Sequence, residues 1–158
     1  RYRATRSLGN AQHPFDAWQT LQGLETLALR MDRHSENARI VAEYLTDHPA
    51  VDWVTYPGLD SHETHENAAR YLADYGGMLT FGLGDYDAAK SCCESVELAS
   101  FLANVGDAKT LVIHPASTTH AQMTEDEQRA SGVTPDMVRV SVGIESPEDI
   151  LADFEVAL

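Results

Sequence analysis

The sequence predicts an α+β domain: a mostly antiparallel sheet covered by helices on one side and preceded by a long helix. Three observations carry this. Apolar residues recur every three to four positions from Phe15 to Met31 and resume at Ile40, Val41, Tyr44 and Leu45, and Val138, Val140, Val142 and Ile144 alternate strictly. Between them, short β runs bounded by turn residues separate further helical stretches. The chain of 158 residues has the length of one ordinary domain and can bury a substantial core.

The elements follow in order. Arg1 to Ala11 is a polar, irregular lead-in with three arginines and no clear period. It reads like the middle of a longer protein; no initiating methionine opens it. Residues 1–13 are therefore taken as a lead-in and residues 14–158 as the domain proper. From Pro14 the spacing of Phe15, Trp18, Leu21, Leu24, Leu27 and Met31 is helical, with Gly23 marking a kink or a close approach of backbones. Ile40, Val41, Tyr44 and Leu45 continue the apolar face until Asp47-His48-Pro49 stops it, and Asn37 and Arg39 fall on its wetter side. Val51–Tyr56 is a short β run closed by Pro57-Gly58, and His62–Leu72 a second helical stretch.

After Gly76-Gly77, the residues Leu79, Phe81 and Leu83 alternate as in a strand, and Asp85 offers an N-cap for a helix through Cys93. Leu98–Leu102 and Thr110–Ile113 have strand length. Thr124-Glu125-Asp126-Glu127 has the form of a capping box, opening a helix that Gly132 closes. Val138 to Ile144 is a strand. Ser146-Pro147-Glu148-Asp149 supplies a cap, a proline at the first helical position and acid in the first turn.

Composition narrows the function. The chain has 25 acidic and 11 basic residues, a net charge of −14, which disfavours nucleic-acid partners. No apolar run reaches the roughly 20 residues of a membrane helix, and the reading is of a cytoplasmic protein. Only Lys90 and Lys109 are lysines. Such an excess of carboxylates suggests solvation suited to a salt-rich, halophilic cytoplasm. Adjacent Cys92 and Cys93 read as two reduced thiols in a helix, since sequence neighbours rarely pair.

One residue draws attention on chemical grounds. Arg139 lies between Val138 and Val140, so it points away from the valines together with Ser141 and Gly143. A strand arginine is expensive to bury alone, and its planar fork suits bidentate capture of an α-carboxylate. An internal salt bridge and simple exposure on the wet face remain as alternatives. Asn104-Val105-Gly106-Asp107 follows a strand and has the composition of a ligand loop or of an ordinary turn. His114-Pro115-Ala116-Ser117-Thr118-Thr119-His120 lacks ligand spacing for a metal and reads as a loop satisfying its own backbone. His62 and His65, with Glu63 and Glu66, place no third ligand, and no metal site is expected. Lys109 shows no desolvated surroundings and is read as a surface residue rather than a Schiff-base lysine.

Taken together, several stretches resemble the C-terminal part of the Cys/Met-metabolism family of pyridoxal-phosphate enzymes. They are Gln22-Gly23-Leu24-Glu25-Thr26-Leu27 with Arg30, His34 and Asn37-Ala38, Val54-x-Tyr56-Pro57-Gly58-Leu59, Asn104 to Lys109, His114 to His120, and Val138 to Glu145. They stand in the family's order and cover nearly the whole chain. The pieces Ala103–Lys109 and Leu111–Pro115 look most like its O-acetylhomoserine sulfhydrylase branch. The resemblance implies the small C-terminal domain of a fold-type I enzyme. It implies that Arg139 holds the substrate α-carboxylate, with Asn104 beside it, and that the loop after His114 supports the site. It implies pyridoxal 5'-phosphate as cofactor, bound mainly by residues N-terminal to this chain. Neither Lys90 nor Lys109 matches the family's cofactor lysine, so the chain alone is expected to be inactive. For the full-length protein the implied reaction is replacement of acetate in O-acetyl-L-homoserine by sulfide or a thiol, in a homo-oligomer of tetrameric type. Methionine γ-lyase, cystathionine γ-synthase, and a stand-alone non-catalytic module derived from the family are the alternatives.

Overall fold

The computed structural model describes residues 8–9 and 11–158. Most of the irregular lead-in therefore lies outside the described residues. The chain divides into two compact units, residues 1–30 and residues 31–158.

The first unit is helical. Helix α1 spans Pro14–Glu25. Its start is set by Pro14 at the first position and by His13, whose Nδ1 accepts a hydrogen bond from the Phe15 amide. The expected break comes at Thr26, three residues after Gly23. There the Arg30 guanidinium donates to the freed Gly23 carbonyl at 2.6 Å. No residue of α1 is buried: Phe15, Trp18, Leu21 and Leu24 are each more than half exposed. The apolar spacing read from the sequence is real, but its partner is not among the described residues.

Helix α2, Leu27–Asp47, runs from that unit into the second. The second unit is built on a five-stranded sheet in the order β1-β2-β5-β4-β3. The strands are β1 (Trp53–Thr55), β2 (Met78–Gly82), β3 (Ser100–Phe101), β4 (Leu111–Ile113) and β5 (Met137–Ser141). All neighbours are antiparallel except β3 and β4, which are parallel. The second unit also holds α3 (His65–Tyr71), α4 (Tyr86–Ser95), α5 (Glu125–Ala130) and α6 (Pro147–Ala157), with a 3-10 turn at Pro115–Ser117.

Register explains the layering. Val54, Phe81 and Val138 are aligned across the sheet, as are Leu79, Val140 and Val112. These residues share one face. Against it pack Ala38, Val41, Ala42 and Leu45 of α2, Ala89, Cys92 and Cys93 of α4, and Ile150 and Phe154 of α6. Phe81 and Phe154 meet edge to face at 6.0 Å. The opposite face carries Thr55, Thr80, Arg139 and Ile113, again aligned in register.

Two helix starts behave as expected. Asp85 accepts the Ala88 amide, and Thr124 and Glu127 form a reciprocal capping box. A third departs from expectation: the Ser146 hydroxyl donates to Glu148 instead of capping a backbone amide. The last strand also stops at Ser141, short of Ile144, because the Val142, Gly143 and Glu145 carbonyls turn to side chains of α2.

Cys92 and Cys93 are free and buried in α4. Burial, with Asp153 nearby, pushes the Cys92 thiol up to about 12. Burial also raises Cys93, with further contributions from Cys92 and Glu94. At pH 8 both are therefore protonated and unreactive. An aromatic disulfide reagent at that pH is expected to label neither thiol in the native protein and both after unfolding. Native labelling at the rate of a free thiol would contradict the packing.

Candidate functional site

The site is built where β5 ends. Asn37, on α2, donates its amide to the Gly143 carbonyl at 3.0 Å and to the Glu145 carbonyl at 2.9 Å. One turn earlier on the same helix, His34 donates from Nδ1 to the Val142 carbonyl at 2.6 Å. A carbonyl oxygen can only accept, so the proton of this imidazole sits on Nδ1. From the other side, Glu145 accepts from the backbone and hydroxyl of Thr110 at 2.7 and 2.9 Å, and Thr110 Oγ1 accepts the Gly143 amide. The space at Gly143 is filled: an added Cβ would overlap Glu145, the Thr110 amide and the Ala108 carbonyl. The segment 142–145 is thus clamped between α2 and the start of β4.

Asn37 is fully buried, which corrects the expectation that it lies on the wet side of α2. The sequence signal that locates it is its spacing: His34, Asn37, Ala38, Val41 and Leu45 form one i, i+3, i+4, i+7 stripe. A polar residue on such a stripe enters the core when backbone carbonyls are there to receive it. Arg39 lies on the exposed side as expected and pairs with Glu43 at 3.2 Å.

The clamp holds the end of the strand that carries Arg139. Arg139 is half-buried and lies in register with Thr80 and Ile113. It borders a hollow of about 230 Å³ with Thr55, Pro57, His62, Met78 and Thr80. No acidic residue lines that hollow. Among the described residues Arg139 has no ion pair, whereas Arg33, Arg39 and Lys90 pair with acids on the exposed faces of their own helices. A half-buried guanidinium with unused donors is a ready receptor for a carboxylate.

The Asn104 loop is brought to the same end of the strand. Gly106, at φ +74°, takes a left-handed turn that favours glycine, and its amide donates to Ser141 Oγ at 3.3 Å. Ser141 is two residues beyond Arg139 and so on the same face. Asn104 itself is exposed, and its side-chain oxygen accepts the Val105 amide within the loop.

The remaining candidates have structural duties. His114 is fully buried and uses both ring nitrogens: Nε2 donates to the Pro135 carbonyl at 2.7 Å, and Nδ1 accepts from Ser117 at 2.8 Å. Gln128 then ties the loop through the carbonyls of Ala116 and His120. His65 bonds the Pro57 carbonyl and stacks on Tyr75. No group of three metal-ligating side chains occurs among the described residues.

The sheet thus sets a half-buried strand arginine beside a hollow that no acidic residue lines. The chain matches the Cys/Met metabolism PLP-dependent enzyme family over residues 1–158, and it belongs to that family. It is 53% identical to a homocysteine synthase of Schizosaccharomyces pombe, covering 100% of this chain and 37% of that protein. It is 50% identical to an O-acetyl-L-homoserine sulfhydrylase of Thermus thermophilus, covering 100% of this chain and 38% of that one. An L-methionine gamma-lyase of Fusobacterium nucleatum is 43% identical over 92% of this chain. Among solved structures, a protein described as an O-acetylhomoserine (thiol)-lyase from Campylobacter jejuni superposes with a TM-score of 0.90 at 41% identity, over 99% of this chain and 38% of that one. The domain is therefore that of a fold-type I PLP enzyme. The chain spans somewhat over a third of the length of these relatives.

The Campylobacter protein carries a pyridoxyl-lysine phosphate. The lysines of this chain do not fit that role, which needs a desolvated amine. Lys109 is exposed, and Lys90 pairs with Glu94 at 3.8 Å on the surface of α4.

The clamp yields a direct expectation. Asn37→Ala takes the donor from the buried Gly143 carbonyl and the part-buried Glu145 carbonyl, at a cost of about 3 kcal/mol. Denaturant unfolding should show that loss, and a change below about 1 kcal/mol would mean the carbonyls find other partners.

Proposed function

We propose that residues 14–158 form the C-terminal, carboxylate-receiving domain of an O-acetyl-L-homoserine sulfhydrylase. The observation that carries the reading is Arg139, half-buried beside a hollow without an acid and unpaired among the described residues. The names of the relatives add the substrate class: the acetate ester of the amino acid homoserine, and a sulfur donor. In the intact protein the net reaction is departure of acetate from Cγ and addition of sulfide or a small thiol there, giving homocysteine or methionine.

Arg139 has one task in this scheme. Its fork takes the α-carboxylate through two parallel hydrogen bonds, which fixes both the position and the rotation of the amino acid. Orientation of this kind lowers the barrier by holding the reacting carbon in one pose. Asn104, on the loop pinned to Ser141, stands as the second polar contact for that carboxylate. Pyridoxal phosphate, held by residues outside this chain, supplies the electron sink.

The intact protein is read as a cytoplasmic homo-oligomer of tetrameric type. What supports an assembly is the exposed apolar row of α1, Phe15, Trp18, Leu21 and Leu24, which is large enough to need cover. No described helix is long and apolar enough to cross a membrane. The acidic surface fits a salt-rich interior.

Arg139→Ala in the full-length enzyme is expected to lower kcat/KM for O-acetyl-L-homoserine by about 2–4 kcal/mol of transition-state binding. Arg139→Lys, which keeps charge but loses the fork, should recover only part of it. Steady-state kinetics within twofold of wild type for the alanine variant would remove Arg139 from this role. Formation of α-ketobutyrate or cystathionine instead of homocysteine would move the enzyme to the lyase or synthase branch.

A further inference from the structure

The loop that carries Asn104 is held at two ends, and only one of them lies on the strand of Arg139. That end is the Gly106 amide on Ser141 Oγ at 3.3 Å, followed by the Ala108 carbonyl, which accepts the Ile144 amide at 2.9 Å. The other end is β3. It has two residues, lies at the edge of the sheet and pairs with β4 alone. The Ser100 amide donates to the Thr110 carbonyl at 2.9 Å, and the Leu102 amide to the Val112 carbonyl at 3.2 Å. A short parallel edge strand is by itself a weak support for a loop that must hold a polar side chain in place.

The added support comes from α6. Asp153 accepts three consecutive backbone amides: Oδ1 takes Glu97 at 2.7 Å and Leu98 at 2.9 Å, and Oδ2 takes Ala99 at 2.8 Å. These amides lie after the end of α4 and directly before β3, so neither element supplies them with partners. Hydrogen bonds to a carboxylate are stronger than neutral ones, and three of them fix the direction in which the chain enters β3. Asn104 then stands midway between Leu102 and Gly106, the nearest residues whose amides bond to the sheet. Its side-chain oxygen is taken by the Val105 amide, which leaves the NH2 group as the donor for a carboxylate.

We propose that Asp153 is a positioning residue for the substrate α-carboxylate, acting through the Asn104 loop. Arg139 is held by its paired strand and by the clamp after Ser141. Asn104 has no such frame of its own, and its distance from Arg139 depends on both loop anchors. The Asp153 clasp sets the incoming anchor from the opposite side of the domain's chain order, at the last helix. Its loss would let the entry to β3 shift and carry Asn104 away from the pose that two-point capture of a carboxylate needs. The inference rests on the reading of Asn104 given above and extends it to a residue that itself touches no substrate.

The test uses the full-length holoenzyme. Asp153→Asn keeps the size of the side chain and puts an N–H where an oxygen accepted one. It is expected to lower kcat/KM for O-acetyl-L-homoserine about tenfold, with the KM for sulfide within twofold of wild type. In an Asn104→Ala background the same substitution should change kcat/KM by less than twofold, because the contact it positions is already gone. A general loss of stability would lower both backgrounds equally. Glu97→Pro is the second variant. It removes one donor from the clasp, and Val96 already has the extended backbone, ψ 140°, that a following proline requires. It should repeat the pattern with a smaller loss, and it carries the comparison should Asp153→Asn not fold. Unchanged kcat/KM in a folded Asp153→Asn enzyme would overturn the proposal, and so would equal losses with and without Asn104. An Asn104→Ala enzyme with wild-type constants would overturn the earlier reading of Asn104 and this proposal with it.

Discussion

The second unit depends on how the chain leaves its central strand. After Ser141 the backbone stops pairing with other strands, yet its carbonyls remain buried. His34 and Asn37 reach from α2 to receive the carbonyls of Val142, Gly143 and Glu145, and Thr110 answers from the start of β4. Buried peptide groups must be paired, so this clamp fixes the position of α2 against β5 more tightly than apolar contact alone. Glu145 returns to Thr110 through two further bonds, which closes the arrangement into a ring of contacts between three distant parts of the chain.

That constraint gives Arg139 its value. A guanidinium on an isolated strand end would sample many poses and would find one of the chain's many acids. Here the strand is paired on both sides, by Thr80 and Ile113, and its far end is clamped. The acids are held elsewhere: Glu145 on Thr110, Asp153 on the amides of Glu97, Leu98 and Ala99, and Asp136 on the Trp53 indole. In a strongly acidic protein, such pairings help leave Arg139 without an ion pair among the described residues.

Much of this was legible from the residues. Period-two alternation located β2 and β5, and the cap residues Asp85 and Thr124 located two helix starts, because each rests on local geometry. Arg139 stood out for the same reason: a charge amid alternating valines leaves only one face for it. Asn37 is polar yet fully buried, because its spacing puts it on the buried stripe of α2. Carbonyls that arrive from more than a hundred residues away leave no mark on the local sequence. The exposed row on α1 shows the converse. Its periodicity reported a real apolar face, but what covers that face is not among the described residues.

The measurement that tests the central claim most directly is a crystal structure of the full-length holoenzyme with a bound amino acid substrate analogue. The account predicts the α-carboxylate on the Arg139 guanidinium through two hydrogen bonds, with the segment 142–145 still clamped by His34 and Asn37. A carboxylate held by other residues, with Arg139 paired to a protein acid from outside this chain, would contradict it.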